Sequence, residues 1–180
     1  MRAIIRSNLS FFLPYLVFLF IGALLLVIST KGDIHLGFNS FHYPILDKVL
    51  WAFTYLGDGV TALLVVIMLL AVNFRAAFLV AISNVVSATI TQILKHTLFS
   101  EYVRPKKFFE DFQDIYFVPG VDNYLYHSFP SGHTTCAFAL YLALALLVKK
   151  HSYKMFFFVM ALTVSYSRTY LSQHFLMDVY

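Results

Sequence analysis

Nineteen consecutive residues, Phe11–Ser29, carry no charge. As a helix rising about 1.5 Å per residue, such a run nearly crosses a ~30 Å hydrocarbon core. Four more apolar runs follow. Val60–Phe74 and Ala76–Leu94 are separated only by Arg75, and His133–Val148 and Met155–Ser167 come later. The expectation is an all-α fold, a polytopic transmembrane helical bundle with five spans and the start of a sixth. The second and fifth runs are short and should extend into their polar flanks. Composition agrees: 12% of the chain is charged and 60% hydrophobic, against about 25% charged in typical soluble domains. That balance excludes disorder and disfavours a soluble domain. The length suits one membrane-embedded domain over 1–180. A lone cysteine, Cys136, excludes an internal disulfide and a multi-cysteine zinc site. Arg2 and Arg6 precede the first run as they would in a signal peptide. The run is longer than a usual signal core and no small-x-small cleavage site follows, so it reads as a retained span.

Charge placement suggests an orientation. With the N-terminus inside, Arg2, Arg6, Arg75, Lys149, Lys150 and Lys154 fall on the cytoplasmic face, in very short segments. All nine acids fall outside: Asp33, Asp47, Asp58, Glu101, Glu110, Asp111, Asp114, Asp122 and Asp178. Seven basic residues share that outer face (Lys31, Lys48, Lys95, Arg104, Lys106, Lys107 and Arg168) and need another explanation.

Two outer segments are long. Thr30–Gly59 contains an amphipathic stretch through Trp51, Phe53 and Tyr55, expected to be a surface or interfacial helix. Asp58, between Gly57 and Gly59, should cap the second span. His96–Pro130 has 35 residues and many aromatics. It reads as a partly ordered helical or irregular lid rather than a disordered loop. Asn84, Ser87, Thr91 and Lys95 share one helical face, which should point into the bundle rather than at lipid. Ala139 and Ala143 form a small-xxx-small pair for close packing. His35, His42, His96, His127 and His151 are expected to be surface or capping residues.

Three clusters stand at the outer ends of spans three, four and five. They are Lys95 with Arg104-Pro105, then Pro130-Ser131-Gly132-His133, then Ser167-Arg168 with His174 and Asp178. Because spans alternate in direction, all three should reach one membrane face. Arg matches phosphate oxygens with a planar fork of donors, and Lys adds a point charge. Ser131-Gly132 opens a helix, whose free N–H groups and dipole favour an anion; Gly132 permits close approach. His174 and Asp178 are four apart and would stack on one helical face, the carboxylate fixing the imidazole tautomer for attack. His133 could protonate a leaving alkoxide and later activate water. This chemistry needs no metal.

These residues resemble the type 2 phosphatidic acid phosphatase superfamily, which also includes vanadium haloperoxidases and glucose-6-phosphatase. Its pattern is Lys-x6-Arg-Pro, Pro-Ser-Gly-His, and Ser-Arg-x5-His-x3-Asp. The second motif is intact at Pro130–His133 and the third at Ser167–Asp178. The first departs, because eight residues rather than six separate Lys95 from Arg104; Lys106 or Lys107 could substitute, although neither precedes the Arg-Pro. The likeness covers about residues 56–180. It implies that His174 is the nucleophile of a phosphohistidine intermediate, oriented by Asp178, and that His133 protonates the leaving group. Lys95, Arg104, Ser131, Gly132 and Arg168 would bind phosphate, with no metal or other cofactor. The resemblance also implies six spans, so the third motif should open a sixth that extends past Tyr180.

The expected function is hydrolysis of a lipid phosphate or diphosphate on the outer, periplasmic face of a bacterial cytoplasmic membrane. Candidate substrates are undecaprenyl diphosphate, phosphatidylglycerol phosphate, phosphatidic acid or a lipid A phosphate. The partners are membrane lipids and that substrate, with no nucleic acid and no obligate protein. Two rivals are a vanadate-dependent haloperoxidase and a non-catalytic lipid-binding or transport protein. Five spans argue against the first, and the complete second and third motifs against the second.

Overall fold

The structure is a computed structural model that describes residues 2–112 and 115–180. Asp114, assigned above to the outer face, lies outside the described residues, as does the side chain of Arg2. Among the described residues every regular element is helical. They are α1 (Arg2–Ser7), α2 (Leu9–Ile28), α3 (Lys31–Asn39), α4 (Pro44–Thr54), α5 (Gly59–Leu70), α6 (Phe74–Thr97), α7 (Pro105–Phe108), α8 (Gly132–Leu147), α9 (His151–Tyr170) and α10 (Leu176–Val179).

Helix starts follow local chemistry. The side chains of Thr30, Asp58, Asn73 and Ser131 accept N–H bonds from the first turns of α3, α5, α6 and α8. Pro44 and Pro105 open α4 and α7, where a missing N–H costs nothing. Asp58 is the expected cap of α5.

The five apolar runs do not become five uniform spans. Two helices, α2 and α6, are long and apolar enough to cross a membrane. A third crossing is possible if α4 with its terminal turn and α5, bent by 57° at Asp58, count as one broken span. α5 has only 12 residues and α8 has 16. α9 has 20, because it extends into polar flanks on both sides of the apolar run.

The segment Thr30–Gly59 holds more than the one surface or interfacial helix expected. It is two helices, and each buries a polar face: His35 and Asn39 on α3, and Asp47 and Thr54 on α4. Trp51 and Tyr55 are exposed instead.

The main core forms where α5, α6, α8 and α9 meet. Ala62, Val80, Ala137, Leu140, Ala143, Ala161 and Val164 pack there. Small residues let the backbones approach closely. Ala143 belongs to this core, whereas Ala139 lines a groove of about 490 Å³ beside Phe138 and α2. Thr91 and Lys95 are buried and Asn84 and Ser87 half-buried, so the polar stripe of α6 does face inward. At the other end of α9, Lys154 is buried and donates to Ser7 O and Asn8 Oδ1, both at 2.6 Å.

Candidate active site

The site grows from the start of α8. Ser131 is fully buried, and its Oγ caps the helix by accepting from Thr134 N. Its own N–H donates to the Asp178 carbonyl at 2.9 Å. The free N–H groups at this helix start are therefore those of Gly132 and His133. A Cβ added at Gly132 would meet nothing within 4 Å, so the approach to these groups is open. His133 is wedged by the chain turn before α5. A Cβ on Gly57 would lie 2.7 Å from the His133 carbonyl oxygen and 2.5 Å from Val164 Cγ1, so only glycine fits there.

The third motif turns back on itself after α9. The N–H groups of Gln173 and His174 both donate to the Arg168 carbonyl, at 3.0 and 3.1 Å. His174 is 1% exposed, and its Nδ1 lies 3.4 Å from Asp178 Oδ2. The pair does not share a helix, as the sequence spacing suggested. His174 precedes α10, and Phe175 caps it. Asp178 Oδ2 also accepts from Phe175 N at 2.9 Å and from the Ser128 hydroxyl. Burial first, then the charges of Arg104, Arg168, Lys95 and His133, hold the His174 pKa well below the usual imidazole range. Burial among cations thus favours the neutral imidazole, the form that can attack phosphorus.

The cations are fixed by backbone and hydroxyl groups. Arg104 donates to the carbonyls of Tyr126 (2.9 Å), Gln173 (3.1 Å) and His127 (3.3 Å). Arg168 Nη1 donates to Thr54 Oγ1 at 2.7 Å, and its Nε–H has no partner among the described residues. Lys95 is buried in the last turn of α6, within electrostatic reach of Arg104, Arg168 and Asp178. Lys106 is exposed, and Lys107 pairs with Glu110 at 2.6 Å. Of the three lysines weighed for the first motif, Lys95 is therefore the one placed at the site. The longer spacing is absorbed after α6 ends, in the turn between Thr97 and Arg104. All eight residues singled out by sequence come together: Lys95, Arg104, Ser131, Gly132, His133, Arg168, His174 and Asp178.

Several contributors escaped sequence reasoning. Ser128 holds Asp178, and Thr54 holds Arg168. His35 and His42 are corrections to the surface reading. His35 is fully buried and lies 3.1 Å from Ser172 Oγ, while His42 Nδ1 lies 3.1 Å from Asp47. Asp47 is itself buried. Burial would raise its pKa, but hydrogen bonds from Tyr170, His42 and Tyr116 outweigh that and hold the carboxyl below its ordinary value. The signal for α4 was present, since Asp47, Leu50 and Thr54 follow i, i+3, i+7 spacing. Nothing in the sequence marked Ser128 or His35.

Buried polar atoms without a partner in the protein gather around the motifs. They include Thr134 Oγ1, Arg168 Nε, Gln173 Oε1, His174 Nδ1 and Asp178 Oδ1. Native interiors leave few such atoms unpaired, so these atoms are available to a polar ligand or to water. Cationic side chains and a helix start around a neutral imidazole suit a tetrahedral oxyanion. Among the described residues, no group of three His, Cys, Asp or Glu side chains is arranged to hold a metal ion.

Comparison with known proteins agrees with this geometry. The model of the PAP2 superfamily matches residues 74–180, more than half of the chain and all eight site residues. No curated protein matches the sequence. Among solved structures, the chain is similar to Aquifex aeolicus LpxE, with a TM-score of 0.71 at 24% identity, over 82% of this chain and 84% of that one. It is also similar to a transmembrane PAP2-type phosphatidylglycerolphosphate phosphatase from Bacillus subtilis, with a TM-score of 0.64 at 26% identity, over 96% of this chain and 87% of that one. The first likeness, at that identity, speaks to the fold. With the family model spanning both histidines, the cations and the helix start between them, the chain belongs to the PAP2 superfamily and is a phosphatase of that family.

Proposed function

We propose that this protein hydrolyses a lipid phosphate or diphosphate at the outer face of a cytoplasmic membrane, through a phosphohistidine formed on His174. The observation that carries the reading is the buried His174, its Nδ1 3.4 Å from Asp178 Oδ2, within electrostatic reach of Lys95, Arg104 and Arg168. The free imidazole nitrogen attacks phosphorus and the bond to the leaving oxygen breaks. His133, protonated once the anionic phosphate offsets the cations around it, gives that oxygen a proton. Water, deprotonated by His133, then attacks the phosphohistidine and releases phosphate. Asp178 stabilises the imidazole as charge develops on it. Lys95, Arg104, Arg168 and the N–H groups of Gly132 and His133 stabilise the phosphoryl oxygens, while Ser131 shapes the helix start. The reading invokes no metal and no other cofactor, because the cations supply the charge. The partners it invokes are membrane lipids and the lipid substrate.

We read one domain over 1–180 with five crossings and the start of a sixth, N-terminus inside. One contact pattern supports the alternation. The start of α9 meets the start of α2 through Ser10–His151 and Lys154–Asn8, while the end of α9 meets the other two motifs. The substrate class includes polyprenyl diphosphates, phosphatidylglycerol phosphate, phosphatidic acid and lipid A phosphates, and the aromatic loop Phe108–Phe129 would stand at their headgroups.

The test is phosphate release from these lipids in detergent with EDTA present, comparing the wild type with His174→Ala. Removing the nucleophile should cost about 10³-fold or more in kcat. Equal activity in the two proteins would sink the nucleophile assignment, and a strict metal requirement would sink the metal-free route.

A further inference from the structure

The third motif is held from outside itself. α4 presents one buried face, Asp47, Leu50 and Thr54, and all three residues meet the final turn of α9. Thr54 Oγ1 accepts from Arg168 Nη1 at 2.7 Å. Leu50 packs with Tyr170 and Leu171. Asp47 Oδ1 accepts from the Tyr170 hydroxyl at 2.6 Å, and Tyr170 is fully buried. Asp47 is anchored in turn by His42 at 3.1 Å and by the Tyr116 hydroxyl at 3.0 Å. The Arg168 carbonyl receives the N–H groups of Gln173 and His174. Whatever fixes Arg168 and Tyr170 therefore fixes both a phosphate-binding guanidinium and the turn that presents His174.

We propose that α4 is the positioning element of this site: Thr54 aims the Arg168 guanidinium, and Asp47, acting through Tyr170, sets the turn carrying His174. An arginine free to sample rotamers loses that freedom when it binds an anion, and a pre-aimed one does not. Thr54 Oγ1 accepts from one Nη1–H and leaves available the Nε–H, which has no partner among the described residues. Neither Thr54 nor Asp47 belongs to the three motifs. The inference rests on the phosphatase reading, but its central quantity, anion affinity, can be measured without turnover.

The experiment uses the full chain in detergent and four variants: Thr54→Val, Thr54→Ser, Asp47→Asn and Tyr170→Phe. Calorimetry with inorganic phosphate gives Kd, lipid phosphate hydrolysis gives kcat and KM, and thermal unfolding gives Tm. Thr54→Val keeps the shape and deletes the acceptor, so phosphate affinity should fall about tenfold with a matching rise in KM. Thr54→Ser keeps the acceptor and should stay within about twofold of wild type. Asp47→Asn and Tyr170→Phe should lower kcat about tenfold with a smaller change in phosphate affinity, because they act on the His174 turn. A Thr54→Val protein that loses Tm but binds phosphate like wild type would overturn the proposal, as would a Thr54→Ser protein as impaired as the valine variant. If Thr54→Val does not fold, the Ser and Tyr170→Phe comparisons still decide. A wild type that binds phosphate in a Thr54-dependent way but hydrolyses no lipid phosphate would support the positioning role and defeat the phosphatase reading. One that does neither would defeat both.

Discussion

The two ends of α9 bury the same kind of group in opposite ways. At its start, Lys154 is fully inside and donates to Ser7 O and Asn8 Oδ1 at 2.6 Å. At its end, Arg168 is as deeply buried, yet its Nε–H lacks a partner, as do Thr169 Oγ1, Gln173 Oε1, His174 Nδ1 and Asp178 Oδ1. Among the described residues, no unpartnered buried side-chain atom falls at the Lys154 end. A satisfied buried cation holds structure together. An under-satisfied cluster leaves polar atoms free to meet a ligand or water, with Arg168 Nε–H as a donor, at a cost in stability. One helix thus separates anchoring from binding along its length.

The sharpest challenge to that division is Lys95. It stands with the under-satisfied end, so Lys95→Ala should lower kcat/KM about 100- to 1,000-fold, the cost of removing one preorganised charge donor. Lys107→Ala, which removes the surface pair with Glu110, should leave hydrolysis unchanged. The reverse ranking would move the first-motif lysine to the loop. Lys154→Met tests the anchoring end. It strands Asn8 Oδ1 and the Ser7 carbonyl, so stability should fall by about 3 kcal/mol while kcat per folded molecule is preserved. A large kcat loss without a change in Tm would erase the contrast.

The smallest effect concerns pH. His35 lies under the third-motif turn, and burial first, then the His42 charge, lowers its pKa from 6.5 to about 4. In the unfolded chain it takes up a proton near 6.5, but in the folded protein it does so only near 4. Stability therefore falls as pH drops through that window, by up to about 1.4 kcal/mol per pH unit from this one group. Thermal unfolding between pH 7 and 5 should show the decline, and His35→Gln should flatten it. An unchanged slope would remove His35 from the cause.

Much of the site was legible because its chemistry needs particular residues near particular helix ends. Ser131-Gly132-His133 opens α8, and Arg168, His174 and Asp178 fall where α9 ends and the chain turns back. Lys95 stayed ambiguous on spacing alone. Its assignment needed the turn after Thr97, whose path no local rule predicts. Which face of α4 looks inward was not legible in the sequence. Its apolar residues Ile45, Val49 and Trp51 are exposed, and its polar residues Asp47 and Thr54 are buried. An amphipathic pattern says which residues share a face, but in lipid surroundings it does not say which face looks inward. An apolar run likewise does not fix the length of its helix: Val60–Phe74 holds α5, which ends at Leu70.

Asp178 has a consequence for how mutational energies add. Its carbonyl holds Ser131, and its carboxylate holds Ser128 and Phe175 while facing His174. Residues sharing one hydrogen-bonded network have interaction energies of about 0.5–3 kcal/mol in double-mutant cycles. Ser128→Ala and Asp178→Asn should thus cost less together than the sum of their separate effects. The tie between the second and third motifs then behaves as one energetic unit centred on Asp178.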